Sequence, residues 1–434
     1  MRACSSPFAK AASVLLLALG VPAAAGAQAP AAQTAAAPQA RLSMADAVRL
    51  ALERNHQLRA QRLGIDMSRG DEITAALKPN PVFTSLNQYF PVFTPSQLTW
   101  DNLANNQAFT ESLSYLFERG GKREKRTEVA RDTTDVTTKT TADLERQITF
   151  QTRQAFISVL LAKSTLDLAQ QDLQDFSNVV EVNRQRLVAG DLAEGDFYKI
   201  SIQKLQFETD VSAAEVALAQ AKATLRQNVG YESVPEDFDV DGDLTYTKYA
   251  VTLDDVKQQA LATRPDLQAA QSGLKLARDT QALAFGNRAR DVTGEVEYER
   301  NGPNNALGFA LSIDLPIHDR NQGNIAKSLA GISQASEAQL QAQATVLTDV
   351  VSAYASYQSN DKVVSIYQSG YLDQATQSRQ ISTYVYQQGS GSLLDLLDAE
   401  RTYRATQLAY RQALAAYMTS VEQVNFVVGK QVMP

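Results

Sequence analysis

Two carboxylates are the residues of this chain best placed to act on a passing solute. Asp395 and Asp398 lie in Tyr384-Val-Tyr386-Gln-Gln-Gly389-Ser-Gly391-Ser-Leu-Leu-Asp395-Leu-Leu-Asp398. A spacing of three puts both on one face of a helix. Copies of that face around an axis would form rings of negative charge, which favour cations and oppose anions. A solitary helix start carries acids for a simpler reason, because its dipole stabilises negative charge. Catalytic chemistry has much less support. His56 and His318 are the two histidines and stand far apart. His56 follows Asn55 in a helical pattern and reads as a packing or surface residue; His318 ends a strand at a turn. No phosphate-binding glycine loop, Cys/His cluster or Ser–His–acid spacing occurs. The expectation is a protein that is not an enzyme and has no cofactor, catalytic residue or resident metal.

The elements that must position the two acids form a helical hairpin. Gly389 and Gly391 suit a tight reversal, and Ser392 is a good N-cap for the helix that follows. The same tip occurs earlier as Arg186-Leu187-Val-Ala-Gly190-Asp-Leu-Ala-Glu-Gly-Asp196. Gly190, Asp196 and Gly230 recur as Gly389, Asp395 and Gly429, each 199 positions later. Asp46, Ala51, Leu52 and Leu58 recur 209 positions later. The chain is therefore read as a duplicated unit built around two hairpin tips.

The start of the chain reads as a secretory signal over residues 1–27, with Arg2 and Lys10, the apolar stretch Ala11 to Val21, and Ala25-Gly-Ala27. The mature protein is expected to begin near Gln28. The single cysteine, Cys4, falls in that signal, so neither a disulfide nor a lipid anchor on cysteine is expected. Loss of Arg2 and Lys10 moves the net charge from −7 to −9, a poor balance for binding nucleic acid. After the signal no apolar run is long enough for a membrane helix.

Residues 28–41 read as a flexible leader rich in Ala, Pro and Gln. Repeat one (42–230) and repeat two (251–430) each open with a capped helix, at Ser43 and Thr252, expected to run to about Lys78 and Asn287. Two strands follow in each, at about 82–89 and 108–117, and at about 291–299 and 306–315. Val292, Gly294, Val296 and Tyr298 alternate with Thr293, Glu295, Glu297 and Glu299. Ten residues with an apolar and a polar face fit a membrane-barrel strand, although a half-buried strand of a soluble protein shows the same alternation. Four strands cannot close a barrel, whose smallest membrane forms have about eight, so several chains would have to share one.

The remainder reads as helix, with tips at 189–196 and 388–395. Between Lys122 and Ala189 a continuous helix would be about 100 Å long. One stripe on it is Leu144, Ile148, Ala155, Val159, Leu166, Ala169, Leu173, Phe176, Val180 and Leu187; a second, nearly opposite, is Phe150, Ile157, Leu161, Leu168, Val179 and Val182. Partners on two flanks suit a stave in a wall with water on both sides. Leu396, Tyr403, Tyr410, Tyr417 and Val424 repeat at strict sevens in the last helix. An acidic, aromatic connector (231–250) and the tail (431–434) are expected to pack around the middle of these helices.

This order of elements resembles the TolC-like outer-membrane efflux channels over about residues 42 to 430. The tips Arg186-Leu-x-x-Gly190 and Tyr386-x-x-Gly389, each followed six residues on by Asp196 or Asp395, carry the resemblance most specifically; Asn55-x-x-Leu58 and Pro265-Asp-Leu267 add to it. It implies a mainly α fold with a small β part: long antiparallel coiled-coil staves plus four membrane strands per chain. A homotrimer would then form a twelve-stranded β-barrel in outer-membrane lipid and a periplasmic helical tunnel. Asp395 and Asp398 would line the aperture. Asp196 and Tyr386 would help lock it closed. Arg186, Leu187, Gly190 and Gly389 would dock a periplasmic adaptor (membrane fusion protein) of an inner-membrane RND-type pump. Some members carry an Arg two residues after the second tip glycine, where this chain has Gly391. Arg119-Gly-Gly-Lys-Arg123 and Leu315-Pro-Ile-His318-Asp-Arg-Asn-Gln-Gly323 resemble the cobalt–zinc–cadmium resistance branch, with His318 departing from an aromatic or aliphatic residue. The expected function is a passive outer-membrane exit duct in a Gram-negative bacterium, for divalent heavy-metal cations, with multidrug efflux or type I protein secretion as the alternative cargo. The sequence has no metal-ligand cluster, so any metal selectivity is expected to belong to the pump. A periplasmic coiled-coil adaptor fits less well, because adaptors usually have one hairpin and a lipoyl-like β domain.

Overall fold

The computed structural model describes residues 41–88 and 91–433. The expected signal at 1–27, nearly all of the leader and Tyr89 lie outside the described residues. Repeat one comprises β1 (Arg41–Leu42), α1 (Met44–Arg54), α2 (His56–Ala76), β2 (Val82–Gln88), α3 (Trp100–Asn106), β3 (Ala108–Phe117), α4 (Lys122–Ala189) and α5 (Glu194–Val229). The connector contributes β4 (Asp239–Val240). Repeat two comprises α6 (Leu253–Thr263), α7 (Pro265–Gly286), β5 (Val292–Asn301), β6 (Asn304–Ile313), α8 (Gln322–Ile366), α9 (Leu372–Gln387) and α10 (Leu393–Val428).

Ser43 and Thr252 cap α1 and α6, each hydroxyl accepting a backbone N–H three residues on. The opening segment of each repeat is two helices rather than the single one expected. Asn55 leaves helical geometry and caps α2 through its side chain, which accepts from Leu58 N. In repeat two the break falls at Arg264, because Pro265 disfavours helical backbone before it and suits the first position of α7.

The strands form one antiparallel sheet in the order β2-β3-β5-β6. Its register sets Phe83, Leu113, Val296 and Phe309 side by side, all exposed on one face. Glu295, Glu297 and Glu299 lie on the opposite face beside Ser114, Ser112 and Thr110. Glu111 lies on the apolar face and accepts a 2.8 Å hydrogen bond from its cross-strand neighbour Ser85, which is on the same face. Strands β2 and β6 each pair on one side, so both edges of the sheet are open.

Two related cores lie at mid-length of the long helices. One joins α1, α2, α4 and α5 through Ala47, Leu58, Phe156, Val159 and Leu225, with Phe238 of the connector. The other joins α6, α8 and α10 through Val256, Val346, Val350, Tyr417 and Val424, with Met433 of the tail. Parallel pairing of β1 with β4 ties the start of repeat one to the connector. Asn425 fixes the tail by accepting from Val432 N and Met433 N at 2.8 and 2.9 Å.

Helix α4 runs unbroken for 68 residues. From Ala155 to Leu160 it is buried on several sides, because α1, α5 and α10 surround it there. The two-flank pattern does not describe that stretch. Towards the tip only Leu168, Asp172, Phe176 and Asn183 are buried, a single seam with steps of four and seven. The matching helix of repeat two is interrupted. Between α8 and α9 lies a π turn, Tyr367–Tyr371, in which Gly370 has φ +119°.

Candidate gate at the hairpin tips

The first tip closes through Gly190, whose φ of +83° suits glycine. Gly190 N donates to Leu187 O at 3.1 Å and Asp191 N to Arg186 O at 2.8 Å. Helix α5 then begins after Ala193, which offers no side-chain cap. At the second tip Ser390 N and Gly391 N both donate to Val385 O, at 3.2 and 3.1 Å. Ser392 caps α10, accepting from Asp395 N at 3.1 Å while its hydroxyl donates to Asp395 Oδ2 at 2.7 Å. A Cβ on Gly391 would stand 3.0 Å from Tyr386 N and 3.1 Å from the Val385 side chain. Gly391 is therefore closely surrounded by the Tyr386 backbone and the Val385 side chain.

One cluster ties the two tips together. The Tyr386 hydroxyl donates to Asn183 Oδ1 at 2.7 Å, and both residues are buried. Burial pushes the Tyr386 hydroxyl above its ordinary value. Arg186 reaches across from α4 to donate to Gln387 O at 2.5 Å and Tyr386 O at 3.4 Å, with its guanidinium 5.5 Å from the Tyr386 ring. Within the chain Asp196 does not bond to Tyr386. It pairs with Lys199 at 2.8 Å on the first turns of α5. Asn183, two turns before Gly190 on α4, is the residue level with Tyr386. Leu187 is half-buried. Leu192, just past the tip glycine, packs with Phe176, Ile200, Phe207, Leu393 and Leu397 in a small core behind the tips.

Asp395 and Asp398 are both exposed on the first turns of α10. Asp395 is oriented by Ser392, and Asp398 pairs with Arg401 at 2.6 Å. In the four-stranded sheet, Glu295, Glu297 and Glu299 give the polar face of β5 a second line of carboxylates. Both sets of carboxylates are reached by solvent, with Asp398 partly offset by Arg401.

Two features went unread in the sequence. One is Asn183; the other is a charge cluster built around the buried Asp172 and Glu400, with the half-buried Arg379, Arg404 and Asp210 and the exposed Asp175. Spacing could have exposed both. Asp172 lies four residues from Leu168 and from Phe176, Asn183 lies seven beyond Phe176, and Glu400 lies four beyond Leu396. Each polar residue occupies an apolar seam.

Residues 256–430 match the family model described as outer membrane efflux protein. The chain is 24% identical over 381 residues to the cobalt–zinc–cadmium resistance protein CzcC of Cupriavidus metallidurans, covering 87% of each. Its fold is similar to that of CusC, a protein whose structures concern transmembrane channel formation, with a TM-score of 0.74, 19% identity and coverage of 89% and 92%. It is also similar to the open state of the MtrE outer membrane channel of Neisseria gonorrhoeae, with a TM-score of 0.73, 19% identity and coverage of 90% and 89%.

Proposed function

We propose that this chain, whose residues 256–430 match the outer membrane efflux protein model, is a conduit rather than an enzyme and serves as the passive exit duct of a tripartite RND-type efflux system. The observation that carries this reading is the four-stranded sheet, with an exposed apolar face and two open edges, joined to helices about 100 Å long. A lone sheet of this kind would leave both edges unpaired in lipid, which is not tolerated. Pairing β6 of one copy with β2 of the next satisfies every edge when the ring closes. Three copies supply twelve strands, a number within the range of membrane barrels. The barrel sits in the outer membrane of a Gram-negative bacterium, and the hairpins extend into the periplasm.

In this assembly Asp395 and Asp398 form rings at the aperture, and Tyr386 with Arg186 and Asn183 holds the tips together. Arg186, Leu187, Gly190 and Gly389 present the ends of the hairpins to a periplasmic adaptor. Asp196, turned to Lys199, contributes charge beside that gate. The cargo we infer is divalent heavy-metal cations. Similarity to the cobalt–zinc–cadmium resistance protein supports this, as do the carboxylates at both ends of the path.

Deletion of the gene in its host, followed by growth across zinc, cobalt, cadmium, nickel, copper and a panel of dyes and antibiotics, tests the cargo. Sensitivity confined to divalent metals is expected. Sensitivity confined to dyes and antibiotics would contradict the metal assignment and favour multidrug efflux.

A further inference from the structure

The charge cluster behind the tips is larger than a structural salt bridge needs to be. It draws on four helices: Asp172 and Asp175 from α4, Asp210 from α5, Arg379 from α9, and Glu400 and Arg404 from α10. Arg379 donates to Asp175 at 3.0 Å and stands 3.9 Å from Asp172 and 3.8 Å from Glu400. Arg404 pairs with Asp210 and stands 3.7 Å from Asp172. Arg379 also lies over the Tyr403 ring at 4.2 Å, and Arg404 over Phe207 at 4.3 Å. Arg411 of α10 adds a more distant positive charge, whereas Arg401 is turned to Asp398. Four carboxylates therefore share two close guanidiniums. The cluster borders a groove of about 810 Å³ between α4, α5 and α10, so water and protons have a route to it.

Asp172 is the most enclosed acid of the group, 5% exposed, and its guanidinium neighbours stand beyond hydrogen-bond length. Arg379 is the only member on α9, and it lies between the π turn and the second tip. A break in a long helix at a π turn containing a left-handed glycine is a place where the helix can bend. Open space surrounds Gly370. The first hairpin has no such break.

We propose that the cluster is a proton-dependent latch, holding the tip segment of the second hairpin against the first, and that the turn at Tyr367–Tyr371 is the hinge about which the released segment swings. Proton uptake by Asp172, aided by Glu400, brings the excess of carboxylates towards balance with Arg379 and Arg404 and favours the latched arrangement. Loss of those protons leaves negative charge uncompensated at the enclosed Asp172 and Glu400 and favours release.

The direction follows from linkage. Burial raises the Asp172 carboxyl from 3.8 to about 6, against the opposing pull of Arg404 and Arg379, and burial likewise raises that of Glu400. A carboxyl that holds its proton more tightly in the latched state favours that state at low pH. The bias towards release grows as pH rises above the ordinary aspartate value and is complete above about pH 6. From Asp172 alone the equilibrium moves ~30-fold between pH 4.5 and 7.5. The proposal relies on the duct reading only in calling the movement the opening of a gate.

Spin labels at Val188→Cys and Leu394→Cys, both exposed near the two tips, report the separation by double electron–electron resonance. The sample is the full mature chain in detergent, with labelled protein diluted into unlabelled. The expected result is a distance distribution that shifts to longer values from pH 4.5 to 7.5. With Asp172→Asn and Glu400→Gln together, which mimic the protonated acids, it should stay short at both pH values. A second label pair on the barrel side of the hinge, Leu63→Cys with Val351→Cys, should not respond. No shift in the otherwise native chain, or an undiminished shift in the double variant, would overturn the latch. An equal response from the second pair would overturn the hinge. Absence of pores in lipid alongside a normal pH-dependent shift would instead count against the duct reading and leave the latch intact.

Discussion

The two hairpins arise from one repeated pattern, yet they differ in stiffness and in how their tips are made. The first is a 68-residue helix without a break, followed by a helix whose N-cap is Ala193. The second is divided at Gly370 and restarts its returning helix on a fully formed Ser392 cap. The first thus has a continuous shaft and a loosely fastened tip, and the second has a jointed shaft and a fastened tip. Duplication supplies two staves of equal reach, and divergence at a few residues gives one of them the means to move. Asp395 and Asp398 sit on the jointed hairpin, at the start of its returning helix.

The largest expected effect comes from the core that both hairpins share. Phe176→Ala removes a ring that is buried and stacked 4.5 Å from Phe207, and should cost about 3–5 kcal/mol. Thermal unfolding in detergent should show a clearly lowered midpoint. If it does not, the packing behind the tips contributes little. Next comes the tie between the tips. Tyr386→Phe leaves Asn183 buried without its donor and should cost about 1–3 kcal/mol. Faster hydrogen exchange at both tips, with little change in the mid-length cores, would be the signature.

Glycine substitutions sharpen the contrast between joint and shaft. Gly370→Ala forces a side chain into positive φ and should destabilise by about 1–2 kcal/mol. Gly331→Ala, in the uninterrupted part of α8 and in open space, should stabilise by about 0.5–1 kcal/mol. Equal effects in unfolding experiments would remove the reason for treating Gly370 as special. The smallest effects concern the caps. Ser392→Ala should cost about 1 kcal/mol, and Ala193→Ser should recover up to a similar amount at the other tip. Exchange rates of the first-turn amides of α10 and α5 should therefore move in opposite directions.

The fold class was legible in the sequence because it rests on periodicities that extend over many residues. Steps of three, four and seven mark the staves, alternation marks the strands, and fixed offsets reveal the duplication. Single-residue departures were harder to read. The division of the opening helices at Asn55 and Arg264 depends on a side-chain cap and on a proline already inside the pattern. The π turn depends on one glycine that a long helix could have absorbed in ordinary geometry. At the tips the glycines and Tyr386 stood out by motif. The partner of Tyr386 did not, because the residue level with it depends on how far one helix slides past the other. The charge cluster was missed for a related reason: six polar residues from four helices meet only after those helices pack, and each one alone resembles an interruption of an apolar stripe.

The account stands on the chain forming a cation-conducting pore through its own tips and sheet. The most direct test is the reversal potential of single channels formed by the purified mature protein in a planar bilayer under a salt gradient. The account predicts cation-selective pores whose selectivity falls in the variant carrying Asp395→Ala with Asp398→Ala. Water-soluble monomers without conductance, or pores whose selectivity ignores that double change, would contradict it.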